Sequence, residues 1–238
     1  MTGLLSTFTI GIYGVYILKL FLLGELIYYI HPRYISLSLV ASIAGIAIFL
    51  ICLYYTLKNK DYALKKLDSK TLIVLLILLF AIFTKPQTLT SSISQNRNQN
   101  IFSQKNNSNN IIISNQSQDY NTKDVGDWQV FKYIYNENDL KKYDNLEVTL
   151  TGFISETKAD KDNLFLVTRF AISCCVVDAS SFGLPVVYKN WGTKYSLDDW
   201  VEVKGNTYID KINDIDAIII DPIEIKKLDK EPENPYLY

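Results

Sequence analysis

The run from Ile35 to Leu57 contains 23 residues and no charge. At about 1.5 Å of rise per residue, a helix of that length covers the roughly 30 Å hydrocarbon core of a bilayer. A chain with such a run either buries it in a large core or places it in lipid. The segments around it favour lipid. Leu4 to Leu23 is a second apolar run with a single charge, Lys19, close enough to its end to reach an interface. A cleaved signal peptide is the competing reading of that first run. No basic residues precede it and no small-residue cleavage pattern follows, so a retained span is expected.

Between the two runs lies Gly24-Glu25-Leu26-Ile27-Tyr28-Tyr29-Ile30-His31-Pro32-Arg33-Tyr34. Pro32 disfavours helix at His31 and separates the runs. Tyr28, Tyr29, Tyr34 and Arg33 suit headgroup level. His31 is read first as part of an interfacial loop, and second as a metal ligand or proton relay with Glu25. Thr71 to Thr84 is also apolar, but its fourteen residues are short for a span; a buried or re-entrant segment is the alternative. Cys52, inside the second run, reads as a small packing residue.

Lys58, Lys60, Lys65, Lys66 and Lys70 crowd the connection before Thr71. Short lysine-rich loops stay in the cytoplasm. That places the Glu25–Tyr34 loop outside and, if Thr71–Thr84 spans, everything after it outside too. The expectation is an integral protein of a bacterial-type plasma membrane with an extracytoplasmic C-terminal domain.

Residues 87–123 are rich in Asn, Gln and Ser and lack an apolar period, so a disordered tether is predicted. Residues 124–238 hold 13 Lys+Arg and 21 Asp+Glu, a net charge of −8. Such a surface repels phosphate backbones and argues against nucleic acid as a partner. Alternation of apolar and polar residues predicts strands over Leu146–Ile154, Leu164–Val176, Leu184–Tyr188 and Trp200–Thr207. Ala217–Ile220 and Ile223–Leu228 are predicted to close the domain around Asp221-Pro222. With glycines at 152 and 205 inside strands, a small barrel of the oligonucleotide/oligosaccharide-binding (OB-like) type is expected, or else an open sandwich. The predicted chain is therefore two to three N-terminal transmembrane helices (spans 4–23, 35–57, 71–84), a tether, and an all-β domain over 124–238.

With one histidine, the chain cannot place a Ser-His-Asp or Cys-His site in that domain. Zinc-type Cys/His spacing, a glycine-rich phosphate loop and internal repeats are all missing from the sequence. No enzymatic activity is predicted.

The residues that invite chemistry are Cys174 and Cys175, followed by Asp178. In a regular strand successive side chains point to opposite faces. Cys174 then packs with Phe170 and Ile172 in the core, and Cys175 shares the other face with Arg169 and Ser173. Three readings stay open: two buried structural cysteines, a thiol site, or a vicinal disulfide. Thiolates would suit a soft metal ion or a thiol-reactive metalloid, with Asp178 as an oxygen ligand. Two cysteines and one acid are too few for a closed structural zinc site.

Four stretches carry a resemblance. They are Gly24-Glu25-Leu26 with Tyr29-Ile30-His31-Pro32-Arg33, Arg169-Phe170 with Cys174-Cys175 and Asp178-Ala179, Trp200-Val201-Glu202-Val203-Lys204-Gly205, and Pro235-Tyr236. In these the chain resembles an uncharacterised bacterial permease-subunit family. It departs from that family in lacking a histidine-rich stretch near the spans and in having Val177 where alanine is more usual. The resemblance implies a membrane region, an OB-like domain and a partner that is a multi-span permease. The expected function is a membrane-anchored accessory subunit of a transport complex. The alternatives are a tethered thiol-based soft-metal, metalloid or redox module, and a purely structural anchor.

Overall fold

A computed structural model describes residues 4–58, 69–97, 128, 143–157 and 163–238. The chain forms two compact units. One comprises residues 1–88 together with Cys174–Val177, and the other residues 89–173 and 178–238.

The first unit is helical, with α1 over Leu4–Leu22, α2 over Ile35–Lys58 and α3 over Ser69–Phe83. All three expected apolar runs are thus helices. Among the described residues, Pro32–Tyr55 is the one helical stretch long and apolar enough to cross a membrane, with a mean hydropathy of 2.6. Only 6% of its most apolar window is buried within the protein. Glycines bring α1 and α2 together. A methyl group on Gly11 would lie 2.6 Å from Cγ of Phe49, and one on Gly14 would lie 2.9 Å from the Ile46 side chain. The missing side chains let the backbones approach, and the Ser42 hydroxyl donates to the Gly14 carbonyl at 2.7 Å. Lys19 does not end in free solution: its Nζ donates to the Ile82 carbonyl at 3.3 Å, near the C-terminus of α3. Carbonyls there lack intrahelical partners and favour a cation. The interior of the lysine loop, residues 59–68, lies outside the described residues.

The second unit is built on a sheet: β1 (Glu147–Ser155), β2 (Leu164–Ala171), β3 (Ser180–Val187), β4 (Trp200–Ile212), β5 (Ile215–Lys227) and β6 (Tyr236–Leu237). The pairings run β1–β4, β4–β5, β5–β3, β3–β2 and β2–β1, so they return to the strand where they began. The β5–β3 link is parallel and rests on the single pair Val186 and Ile220. Leu150, Ile154, Phe165, Val167, Val203 and Ile220 are buried in the main core. At Gly205 the register of β4 and β5 slips, and a Cβ there would strike the Asp221 carbonyl oxygen and the Pro222 Cα. This bulge tolerates Pro222 inside β5, so the two short predicted strands 217–220 and 223–228 are one strand. Asn213 and Asp214, with φ of 49° and 61°, turn β4 into β5 and extend β4 past its predicted end.

Two expectations are corrected. The unit begins at Leu89, not at residue 124. A short helix, α4 (Ser91–Arg97), carries Ile93 onto the cluster of Phe153, Phe170 and Tyr236, and Leu89 joins it there. The Leu89 amide donates to the Tyr236 hydroxyl at 3.2 Å, and the Ser91 amide to Asp198 Oδ1 at 2.5 Å. The polar composition of this stretch conceals two apolar anchors. Residues 98–123 of the expected tether lie outside the described residues. The second strand stops at Ala171, where its partner β3 begins at Ser180, and does not continue to Val176.

Candidate functional site

The sequence between β2 and β3 holds both adjacent cysteines. The Ile172 amide donates to the Leu237 carbonyl at 3.0 Å, the last bond of the β2–β6 pairing before the loop. Asp178, in the β unit, accepts the Ser173 amide on Oδ1 at 3.2 Å, and Val176–Asp178 forms a 3-10 turn. The Asp178 carboxylate thereby closes the short loop back onto its start.

Cys174–Val177 itself belongs to the helical unit, where it is paired to the α1–α2 connection. His31 N donates to the Cys174 carbonyl at 3.0 Å and Val176 N donates to the Tyr29 carbonyl at 2.8 Å. Ile30 and Cys175 stand opposite each other as an isolated antiparallel bridge. The connection is shaped for this by its own residues. Gly24, at φ 71°, ends α1 in a conformation that costs glycine little. A 3-10 turn over Glu25–Tyr28 follows, and the Leu26 carbonyl accepts both Tyr29 N and Ile30 N. His31 is extended ahead of Pro32, as a residue before proline prefers. Its ring is buried, and Nδ1 accepts the Arg33 amide at 3.1 Å. A neutral imidazole that accepts at Nδ1 carries its proton on Nε2. His31 thus closes the turn that presents Tyr29 and Ile30. Nearby, Glu25 keeps Oε2 buried with no hydrogen-bond partner among the described residues.

The two sulfurs come together. Cys174 Sγ lies 3.6 Å from Cys175 Sγ, and neither cysteine is disulfide-bonded. A disulfide would require about 2.05 Å. Cys174 is exposed and Cys175 half-buried, which reverses the face assignment made from strand alternation. The reason is local: the pair lies beyond the end of β2, where the period of two no longer holds. Arg169 is likewise not the polar neighbour that alternation assigned to Cys175. It is fully buried in the β unit, where Nε donates to the Pro235 carbonyl at 3.2 Å, Nη1 to the Thr151 carbonyl at 3.1 Å and Nη2 to the Asn234 carbonyl. Its guanidinium also stands 5.4 Å from the Trp200 ring centroid. Burial pushes the Tyr238 phenol well above its ordinary range; neighbouring Tyr236 adds to the effect and Arg169 opposes it. Among the described residues, no three His, Cys, Asp or Glu side chains form a group able to cage a metal ion. What the loop offers chemically is a pair of thiols on a hydrogen-bonded backbone.

Residues 5–100 match the DUF1980 N-terminal domain, and residues 89–238 match the DUF1980 C-terminal domain. The chain belongs to the DUF1980 family. No curated protein and no solved structure matches it. The two DUF1980 domains overlap at residues 89–100, the region of α4. By these matches Tyr29–His31 lies in the N-terminal DUF1980 domain and Cys174–Val177 in the C-terminal one, while the structure counts both stretches in the helical unit. Sequence reasoning singled out both stretches but not their pairing. The signal available in the sequence was that each stretch carries family-like residues.

Proposed function

We propose that this DUF1980 protein is a membrane-anchored accessory subunit of a transport complex. The observation that carries the anchor is the reversed polarity of α2. Among its described side chains the buried one is Ser42, while Leu37, Val40, Ile43, Ile48, Leu50 and Ile51 are exposed. Water would penalise that arrangement by about 25 cal/mol for each Å² of apolar surface, whereas lipid does not. In this reading α1 and α3 also span, and Lys85, just beyond α3, helps match its short length to the bilayer. The membrane is a bacterial plasma membrane, and the lysine loop keeps the β unit outside. The closed cycle of five pairings is read as a small OB-like barrel. The partner is a multi-span permease, which the family resemblance supplies, and the acidic β unit gates or delivers at the outer face. No residue is assigned a catalytic role.

A second reading, a tethered thiol module, is favoured by the 3.6 Å separation of the sulfurs. The first reading is tested by isolating the protein from native membranes in mild detergent after brief crosslinking. A multi-span protein in constant ratio is the expected result. Recovery of the chain alone would refute the accessory-subunit reading and leave the anchor.

A further inference from the structure

We infer that Cys174 and Cys175 form a bidentate site for a trivalent, three-coordinate metalloid centre; this rests on the thiol reading above and names its ligand class. The geometry separates the candidate occupants. At a metal–sulfur bond of about 2.3 Å, sulfurs 3.6 Å apart subtend an angle of roughly 100° at a shared centre. A linear two-coordinate soft cation would need them about 4.6 Å apart at that bond length. The pair is therefore too close for a linear ion and too far apart for a disulfide. An angle near 100° suits tetrahedral or pyramidal centres. A tetrahedral structural ion takes four protein donors as a rule, and the described residues provide no group of even three acidic, histidine or cysteine ligands. A pyramidal trivalent centre needs only two protein donors, because it brings its third substituent with it and a lone pair fills the remaining direction.

Two further features fit. The backbone on both sides of the pair is held, by His31 N on the Cys174 carbonyl and by Val176 N on the Tyr29 carbonyl. The two sulfurs are thus placed before a ligand arrives, which lowers the ordering cost of binding. Cys174 is exposed, so a ligand reaches the site without unfolding the loop.

The chemistry is ligand exchange without redox change. A trivalent metalloid hydroxide loses two hydroxyl groups as two waters, each taking one thiol proton, and forms two metalloid–sulfur bonds. The centre stays trivalent and keeps its third hydroxyl. With phenylarsine oxide as the probe, the As–O double bond is replaced by two As–S bonds, and the oxygen leaves as water with both thiol protons.

The test uses the full chain, reduced, in detergent micelles. Bound arsenic is counted after exposure to phenylarsine oxide, and both thiols are titrated separately with N-ethylmaleimide. One arsenic per chain is expected, resistant to excess monothiol and removed by a dithiol. Cys52→Ser should bind as well as the unaltered protein. Cys174→Ser and Cys175→Ser should each weaken binding by about 100-fold or more, because the second bond forms within a single complex. Cys174→Ala and Cys175→Ala, matched for helical and sheet content by circular dichroism, separate ligand loss from misfolding. If both thiols react with the maleimide but the single variants bind arsenic as well as the parent, the metalloid inference is overturned and the thiol reading survives. Preferential, tighter binding of silver ion would overturn it in the same way. If neither thiol reacts in the folded protein, both fail.

Discussion

Arg169 shows what a single side chain does in this fold. A buried guanidinium is costly unless its donors are satisfied. Here the carbonyls of Thr151, Asn234 and Pro235 satisfy them, and the Trp200 ring lies alongside. Two of those carbonyls belong to the segment just before β6, so the arginine ties the end of the chain to β1 and β2. The planar fork matters, since a lysine ammonium cannot face three separately placed oxygens. Arg169→Lys should therefore destabilise residues 89–238 by about 2–4 kcal/mol in urea unfolding, through lost charge-assisted hydrogen bonds and unsatisfied carbonyls. Residues 234–238 should also become open to carboxypeptidase. A loss below about 0.5 kcal/mol, the scale of an ordinary surface change, would show that the guanidinium network is not what secures the C-terminal segment.

At the scale of elements, α4 has more weight than its seven residues suggest. It and Leu89 cover an aromatic cluster in which Phe153 and Phe170 stack with centroids 5.6 Å apart and Trp200 meets Phe153 edge-on. Cutting the chain at 124, the boundary that composition suggests, would uncover these rings and leave Tyr236 without its Leu89 partner. A fragment of residues 89–238 should unfold cooperatively, whereas 124–238 should bind a hydrophobic dye and melt several degrees lower. For a domain of this size, each 1 kcal/mol of lost stability lowers the melting temperature by about 2–8 °C. Equal melting temperatures would mean that α4 contributes nothing to the unit. The loop after β2 shows the same dependence on neighbours: β2 ends where β3 stops pairing with it, whatever the apolar pattern continues to suggest.

For the whole molecule, the proposed membrane anchor raises a testable question, which side of a membrane each part would occupy. The lysine-rich connection predicts that it and the N-terminus are cytoplasmic and that the chain beyond α3 is external. Single cysteines introduced at Ser69 and at Ser117 in a background lacking the three native ones report this directly. An impermeant maleimide applied to intact cells should label position 117 and spare position 69. Labelling at 69, or protection at 117, would refute the topology. The apolar runs, the helices they form and most of the strands were legible in the sequence, because length, charge and alternation are local properties that each segment carries alone. The resemblance to a family was legible for the same reason, in short exact stretches. What only the tertiary structure decided depends on partners far along the chain. The Ile172 amide pairs with the Leu237 carbonyl, Asp221 and Pro222 sit against Gly205, and Tyr29 and His31 pair with a loop more than a hundred residues later. The placing of two sulfurs side by side belongs to that second kind: a strand period predicts opposite faces, and only the end of the ladder with β3 releases the chain to bring them together.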